Sequence, residues 1–181
     1  MGTAARPFYT VGHSNRPLDE FLDILESAGI DLVVDVRKLT GSRRNPQFND
    51  DALADSLPAA GIGYRKLEAL AGRRTVSHET PFEVNAFWQN RSFHNYADHA
   101  LTDGFRDGLD TLRAWGTAQT VTVMCSEAVW WRCHRRLIAD HLLARGEQVL
   151  HLMAPEKVTR AEMTAGAVVG PGEETVTYPA R

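Results

Sequence analysis

The sequence predicts a single α/β domain. Its core is an open, mostly parallel β-sheet of about five strands, with helices on both faces and a candidate C-terminal β-hairpin. Three observations predict this class. The chain has 181 residues, enough for one domain and short for two. Apolar runs of strand length alternate with segments whose apolar residues recur at three- and four-residue steps, the pattern of βαβ units. One run, Leu32-Val33-Val34-Asp35-Val36, is nearly all apolar, as in a strand covered on both faces of a parallel sheet. The domain is read over residues 1–154, with 155–181 as a C-terminal extension packed on it.

Each element has its own signal. Phe8-Tyr9-Thr10-Val11-Gly12 reads as a strand that breaks at Gly12. Pro17 suits a first helical turn, and Leu18, Phe21, Leu22 and Leu25 share one helix face. Gly29 ends that helix. With the apolar strand that follows, the first 37 residues form a right-handed βαβ unit. Asn49 reads as an N-cap, flanked by a Phe48–Leu53 staple, for a helix running to about Ala60. Gly63 to Leu67 is a third strand. Residues 71–100 are rich in Asn, His and aromatics and read as irregular. Phe105, Leu109 and Leu112 mark a helix, and Val121 to Cys125 a strand. Leu137, Ile138, His141 and Leu142 mark the next helix, ended by Gly146, and Val149 to Leu152 is the last strand of the sheet. Ala167 to Val169 and Thr175 to Tyr178 pair as a hairpin across Gly170-Pro171-Gly172.

Composition narrows the class further. The hydrophobic fraction is 43%, the charged fraction 24% and the net charge −3, which excludes a mainly disordered chain and a generally basic nucleic-acid protein. No apolar run has membrane-spanning length, and no basic segment leads into an apolar one at the N-terminus. Two cysteines argue against a disulfide scaffold and for a reducing compartment, so the expected location is cytoplasmic, with no membrane partner. The charge is uneven. Between Val36 and Arg74 stand eight basic residues, among them Arg37, Lys38, Arg43, Arg44, Arg73 and Arg74, against four acidic ones. That stretch predicts either an anion-binding face or a solvated surface balanced in three dimensions.

In open parallel sheets ligands bind beyond the carboxyl ends of the strands. The residues expected there are His13, Ser14 and Arg16 after the first strand, Asp35 and Arg37 at the second, and Tyr64 in the third with Arg65 and Lys66 at its end. After the fourth strand come Cys125, Glu127, Trp131, Cys133, His134 and Arg135, while Tyr96 belongs to the segment read as a lid or stacking wall. His, Cys, carboxylate and Arg together are the residue types of proton transfer and anion binding. Ser14 reads equally as a helix cap. Asp35 and Arg37, two apart on a strand, share a face and read as an ion pair or as a base beside an anion clamp. His134 falls on the buried stripe at a helix start, where the dipole favours its neutral form; beside Glu127 it forms a candidate acid/base pair.

The cysteines leave three readings. The interval from Cys125 to Arg132 resembles a cysteine-phosphatase or rhodanese loop, but holds six intervening residues where those loops hold five, and Glu127 among them would repel phosphate. Zinc on Cys125, Cys133, His134, His13 and His151 is a second reading, weakened by the lack of a close Cys-x-x-Cys pair. A buried thiol is the third. No cofactor is predicted.

The chain also resembles the family catalogued as domain of unknown function 488 (DUF 488). The matching segments are Thr10 to Arg16, Val34 to Arg37 with Gly41 to Phe48, Tyr64 with Gly72-Arg73-Arg74, Tyr96-Ala97-Asp98, and Cys125 to Arg135. Two positions depart from the family's habit: Ser126 stands where Ala is usual, and Ala71-Gly72 where a glycine-rich turn is usual. The resemblance implies an α/β fold and an intracellular bacterial-type protein, with a DNA-repair-like label on some relatives. It supplies no reaction.

Three functions compete. The first is an enzyme, a hydrolase or transferase, acting on a nucleotide, a nucleic-acid end or another phosphorylated molecule. His13, Asp35, Glu127 and His134 would move protons, and Arg37, Arg43, Arg44 and Arg135 would hold the anion. The second is a non-catalytic nucleic-acid-binding module that uses Arg pairs on phosphates and Trp131 or Tyr96 on bases. The third is a thiol or zinc protein built on Cys125 and Cys133.

Overall fold

The computed structural model describes residues 5–180. Strand β1 (Phe8–Gly12) leads to helix α1 (Leu18–Ser27) and strand β2 (Leu32–Asp35). Helix α2 (Asp50–Ala59), strand β3 (Gly63–Lys66), helix α3 (Arg91–His99) and helix α4 (Asp103–Ala118) follow. Strand β4 (Val121–Cys125), helix α5 (Arg135–Ala144) and strand β5 (Val149–Ala154) complete the α/β body. Strands β6 (Lys157–Arg160), β7 (Val168–Val169) and β8 (Val176–Thr177) end the chain. The main sheet has the order β3-β2-β4-β1-β5-β6. Its first five strands are parallel, and β6 runs antiparallel to β5.

Alternation along the strands builds a core on each face, because successive side chains point to opposite sides. Val11, Val33, Met124 and Leu152 meet Phe21, Ile24 and Leu25 of α1 and Leu53 and Leu57 of α2. Leu32, Val34, Val121, Val123 and Val149 meet Tyr96 of α3, Phe105, Leu109 and Leu112 of α4, and Leu137, Ile138 and Leu142 of α5. Neighbouring strands β1 and β4 thus send their chains to opposite faces, β1 to α1 and β4 to α5. That divergence is the topological switch point at which such sheets place their sites.

The expected α/β class and C-terminal hairpin are present, with two additions. Strand β6 is a sixth strand, exposed at all four residues; its Lys157 and Arg160 suit an edge that must not pair further. Helix α3 occupies part of the segment read as irregular. Its buried face is His94, Asn95, Tyr96, Ala97 and Asp98, which carries no aliphatic repeat. No helix among the described residues is long and apolar enough to cross a membrane.

The C-terminal segment is sewn into the body by polar bonds. Buried Tyr178 donates its hydroxyl to Asp140 Oδ2 at 2.7 Å. The Tyr178 N–H donates to Asn85 Oδ1 at 3.0 Å, and Asn85 Nδ2 donates to Asp98 Oδ1 at 2.7 Å. Tyr178→Phe keeps the ring and removes one donor from a buried carboxylate. It is expected to lower unfolding free energy by about 1–2 kcal/mol, measurable as a lower urea midpoint; an unchanged midpoint would show that the hydroxyl bond contributes nothing net.

Candidate functional site

A cavity of about 360 Å³ opens at the carboxyl ends of β2 and β4. Arg37, Lys38 and Leu39 line it from the loop after β2, Gly72 and Arg73 from the loop after β3, and Asn90, Ser92, Phe93 and Tyr96 from the start of α3. Cys125, Ser126 and Glu127 enter from β4, and Arg132, Cys133 and His134 from the loop into α5. Four cationic residues and one carboxylate thus line the cavity, with Lys38 Nζ donating to Glu68 Oε1 at 3.0 Å.

Arg37 is aimed by a buried network. Its Nε donates to Asp35 Oδ1 at 2.9 Å and its Nη2 to Asp35 Oδ2 at 2.7 Å, a bidentate pair. Tyr64 Oη donates to the same Oδ2 at 2.5 Å, and this bond with burial holds the phenol above its ordinary value. Arg37 Nη1 donates to His13 Nε2 at 3.1 Å, so His13 carries its proton on Nδ1 and gives it to Ser14 O at 2.8 Å. Burial brings His13 down to about 4, and its ring stacks on Phe48 at 4.4 Å. Three of the five guanidinium hydrogens of Arg37 are thereby used. The rest of the head is free to meet a ligand.

His134 is fixed in the same manner. Its Nε2 donates to Val36 O at 2.9 Å, which leaves Nδ1 as an acceptor facing Cys133 Sγ at 3.5 Å. Tyr96 packs on the ring at 4.9 Å and donates its own hydroxyl to Leu70 O at 2.7 Å. Burial lowers His134 to about 4. A Cβ at residue 72 would come within 2.7 Å of His134 Nδ1, so Gly72 is what admits the ring.

The loop from Cys125 to His134 is anchored from below by Arg135. This guanidinium is wholly buried. Its Nη2 donates to Glu127 O at 2.9 Å and Ala128 O at 3.0 Å, and its Nη1 donates to Thr10 Oγ1 at 3.1 Å. The Thr10 hydroxyl in turn faces His151 Nδ1 at 2.6 Å, and His151 stacks flat on Trp130 at 4.6 Å. Gly12 lies directly beneath: a Cβ there would fall 1.7 Å from Glu127 O.

Of the residues expected at the site, Arg37, Tyr96, Cys125, Glu127, Cys133 and His134 line the cavity. His13, Asp35 and Tyr64 stand behind Arg37 and hold it. The other expected ligands lie elsewhere. Ser14 turns the chain after β1 with a positive φ of 52°. Arg16 is spent on Glu20 Oε1 at 3.0 Å and Met153 O at 3.0 Å. Arg43 and Arg44 are exposed on the loop before α2, and Trp131 is 46% exposed against the edge of Trp130. Arg135, read as an anion ligand, is instead built into the wall, because its Nη1 donates to Thr10 Oγ1 and its Nη2 to the carbonyls of Glu127 and Ala128. The sequence offers Lys38 and Arg73 only through the basic stretch and the Arg pairs of the nucleic-acid reading, and it does not single out Arg132, although all three line the cavity. Their signal, a basic stretch and a loop arginine, is also that of ordinary surface charge. Cys125, Cys133 and His134 are neighbours, yet no group of three His, Cys, Asp or Glu side chains among the described residues is arranged to hold a metal ion.

Four buried histidines set a pH dependence. His13 and His134 are held near 4, and His141 and His151 near 3, all mainly by burial. The unfolded chain protonates these rings below 6.5, while the folded protein keeps them neutral. The unfolded state therefore binds more protons as pH drops below that value, and stability falls from there toward pH 4 and below. The expected slope is at most about 1.4 kcal/mol per pH unit for each histidine. Urea midpoints across this range measure it, and a flat profile would contradict the neutral, buried assignment.

Comparison with known proteins places this site in a family. Searches of the curated proteins and of the solved structures each find no match. The model of the family described as "Domain of unknown function DUF488" matches residues 17–142, a span that runs from the start of α1 into α5 and includes every residue named above as lining the cavity, and the chain belongs to that family.

Proposed function

We propose that the protein is an enzyme acting on a small phosphorylated molecule of nucleotide size, bound in the cavity at the ends of β2 and β4. The observation that carries this reading is the lining: Arg37, Arg73 and Arg132, with Lys38 paired to Glu68, against the carboxylate of Glu127. A volume of about 360 Å³ suits a small ligand. Arg37 is preorganised by Asp35, so little rotamer freedom is lost when it meets an anion. Glu127 is the proton-transfer group, and the fixed His134 ring lines the same cavity. Phe93 and Tyr96 are the apolar side, against which a base or ring packs.

The test is a thermal-shift panel on the wild-type protein and Arg37→Ala, with inorganic phosphate, mononucleotides and short oligonucleotides at two salt concentrations. A mononucleotide that raises the wild-type melting temperature, with the shift lost in Arg37→Ala, supports the reading. Glu127→Gln should then bind and fail to turn the ligand over. A second reading, a nucleic-acid module, is favoured by exposed Trp131 next to Arg132. It predicts shifts with oligonucleotides alone, fading steeply with salt. No shift with any phosphorylated ligand would overturn both.

A further inference from the structure

The cavity holds two thiols that the proposed phosphorylated ligand does not need. Cys125 ends a central strand, and Cys133 follows the single helical turn at Trp130–Arg132. Both are free and buried, both line the same cavity near enough to act on each other electrostatically, and Cys125 Sγ donates to Glu127 O at 3.6 Å. Cys133 Sγ also lies 3.5 Å from His134 Nδ1, the ring nitrogen shown above to be an acceptor.

A second observation concerns charge. Arg135 is fully buried, and none of the ion pairs among the described residues gives it a carboxylate partner. Its Nε is buried without a hydrogen-bond partner. A buried cation so placed calls for an anion close by. Cys125 is the thiol that answers. Burial alone would push it up, but the neighbouring Cys133 thiol and the charge of Arg135 outweigh burial and bring it below its ordinary value. Cys133 moves the other way, raised first by burial and then by its neighbour. One sulfur is thus suited to attack and the other to keep its proton until needed.

We propose that Cys125 and Cys133 form a thiol–disulfide redox couple that reduces an anionic low-molecular-weight disulfide entering the cation-lined cavity. The Cys125 thiolate attacks one sulfur of the incoming disulfide. A Cys125–substrate disulfide forms and the first substrate thiolate departs. Cys133 gives its proton to that departing thiolate and attacks Cys125 Sγ. The Cys125–Cys133 bond forms, and the second half of the substrate leaves as a thiolate. Two protein sulfurs are oxidised and two substrate sulfurs reduced. A dithiol reductant returns the pair to its starting state. Cys133 supplies the movement: it lies in the loop after a single turn, whereas Cys125 is fixed in the sheet. The carboxylates of the substrate meet Arg37, Arg73 and Arg132.

The full-length protein is reduced, freed of reductant and treated with oxidised glutathione, which carries the carboxylates that the cavity would recognise. The readouts are intact mass and the count of thiols after denaturation. The wild-type protein should lose both thiols, become lighter by two hydrogens and yield a peptide pair joined at Cys125 and Cys133. Cys133→Ser should stop halfway and retain one glutathionyl group on Cys125. Cys125→Ser and Cys125→Ala should keep the Cys133 thiol. Wild-type protein that keeps both thiols, a Cys125 variant that reacts as fast as wild type, or a product consisting only of intermolecular dimers would each overturn the proposal. Folding is checked by circular dichroism. If neither Cys125 variant folds, the adduct on Cys133→Ser decides: a glutathionyl group on Cys125 upholds the couple, and its absence overturns it.

Discussion

Asp35→Ala is expected to destabilise the protein by about 3–5 kcal/mol, the range for removing one partner of a buried ion pair. The Asp35 side chain is wholly enclosed, and that of Arg37 is 7% exposed. The carboxylate accepts from the Arg37 backbone N–H, from Arg37 Nε and Nη2, and from Tyr64 Oη. Its loss leaves a buried guanidinium with His13 Nε2 as its one remaining side-chain partner, and strands the Tyr64 hydroxyl. Urea unfolding measures the loss as a drop in midpoint. The double variant Asp35→Leu/Arg37→Met separates charge from packing. It removes both ions and should recover much of the stability, while the ligand-induced thermal shift stays absent because the anion-facing head is gone. A double variant no more stable than Asp35→Ala would assign the effect to shape, and a single variant within about 0.5 kcal/mol of wild type would refute the buried-pair account.

Gly12→Ala is the second large effect. The added methyl would meet the Glu127 carbonyl oxygen at 1.7 Å, its carbon at 2.5 Å and Ala128 Cα at 3.0 Å. These are backbone atoms, so no side-chain rotation relieves the clash. Nor can the loop lift freely, because Arg135 holds the Glu127 and Ala128 carbonyls, and His13 N and Ser14 N donate to Cys125 O and Ser126 O. The expected cost is about 3 kcal/mol, at the upper end for overpacking. What folds should have a displaced 125–129 loop and no ligand-induced thermal shift. A melting temperature equal to wild type would mean that the loop does not rest on Gly12.

The parts of the fold that were legible in the sequence are those written in aliphatic side chains. The β2 run Leu32-Val33-Val34 and, in α1, Phe21 and Leu25 announce burial by residue type, while Ile24 joins them in the core and Leu18 and Leu22 of the expected stripe are half-buried. Helix α3 is buried through His94, Asn95, Tyr96 and Asp98, whose burial rests on specific partners such as Asn85, and partners cannot be read from spacing. At the site, residue types marked the right strand ends but not the direction of each arginine. Arg37 stands two residues from Asp35 on one strand face, which offers the pair, whereas nothing in the sequence tells whether Arg43 meets a ligand or solvent. Arg135 carried a usable signal. It stands three, four and seven residues before buried Ile138, Ala139 and Leu142, on the inward stripe of α5, where an arginine must serve the protein's own oxygens.

The strand order has a consequence for how the chain is made. β1 is synthesised before the other described strands and lies inside the sheet, where Tyr9 pairs with Thr122 on one side and Leu150 on the other. Its sequence neighbour β2 is never its partner, since β4 separates them. A nascent chain that has emerged as far as α3 therefore holds β1 without either flanking strand, its apolar residues unsealed. Such long-range closure slows folding and prolongs exposure to aggregation. During translation, holding chaperones should engage the stretch around Phe8 to Val11 until β4 and β5 arrive, and release it when they do.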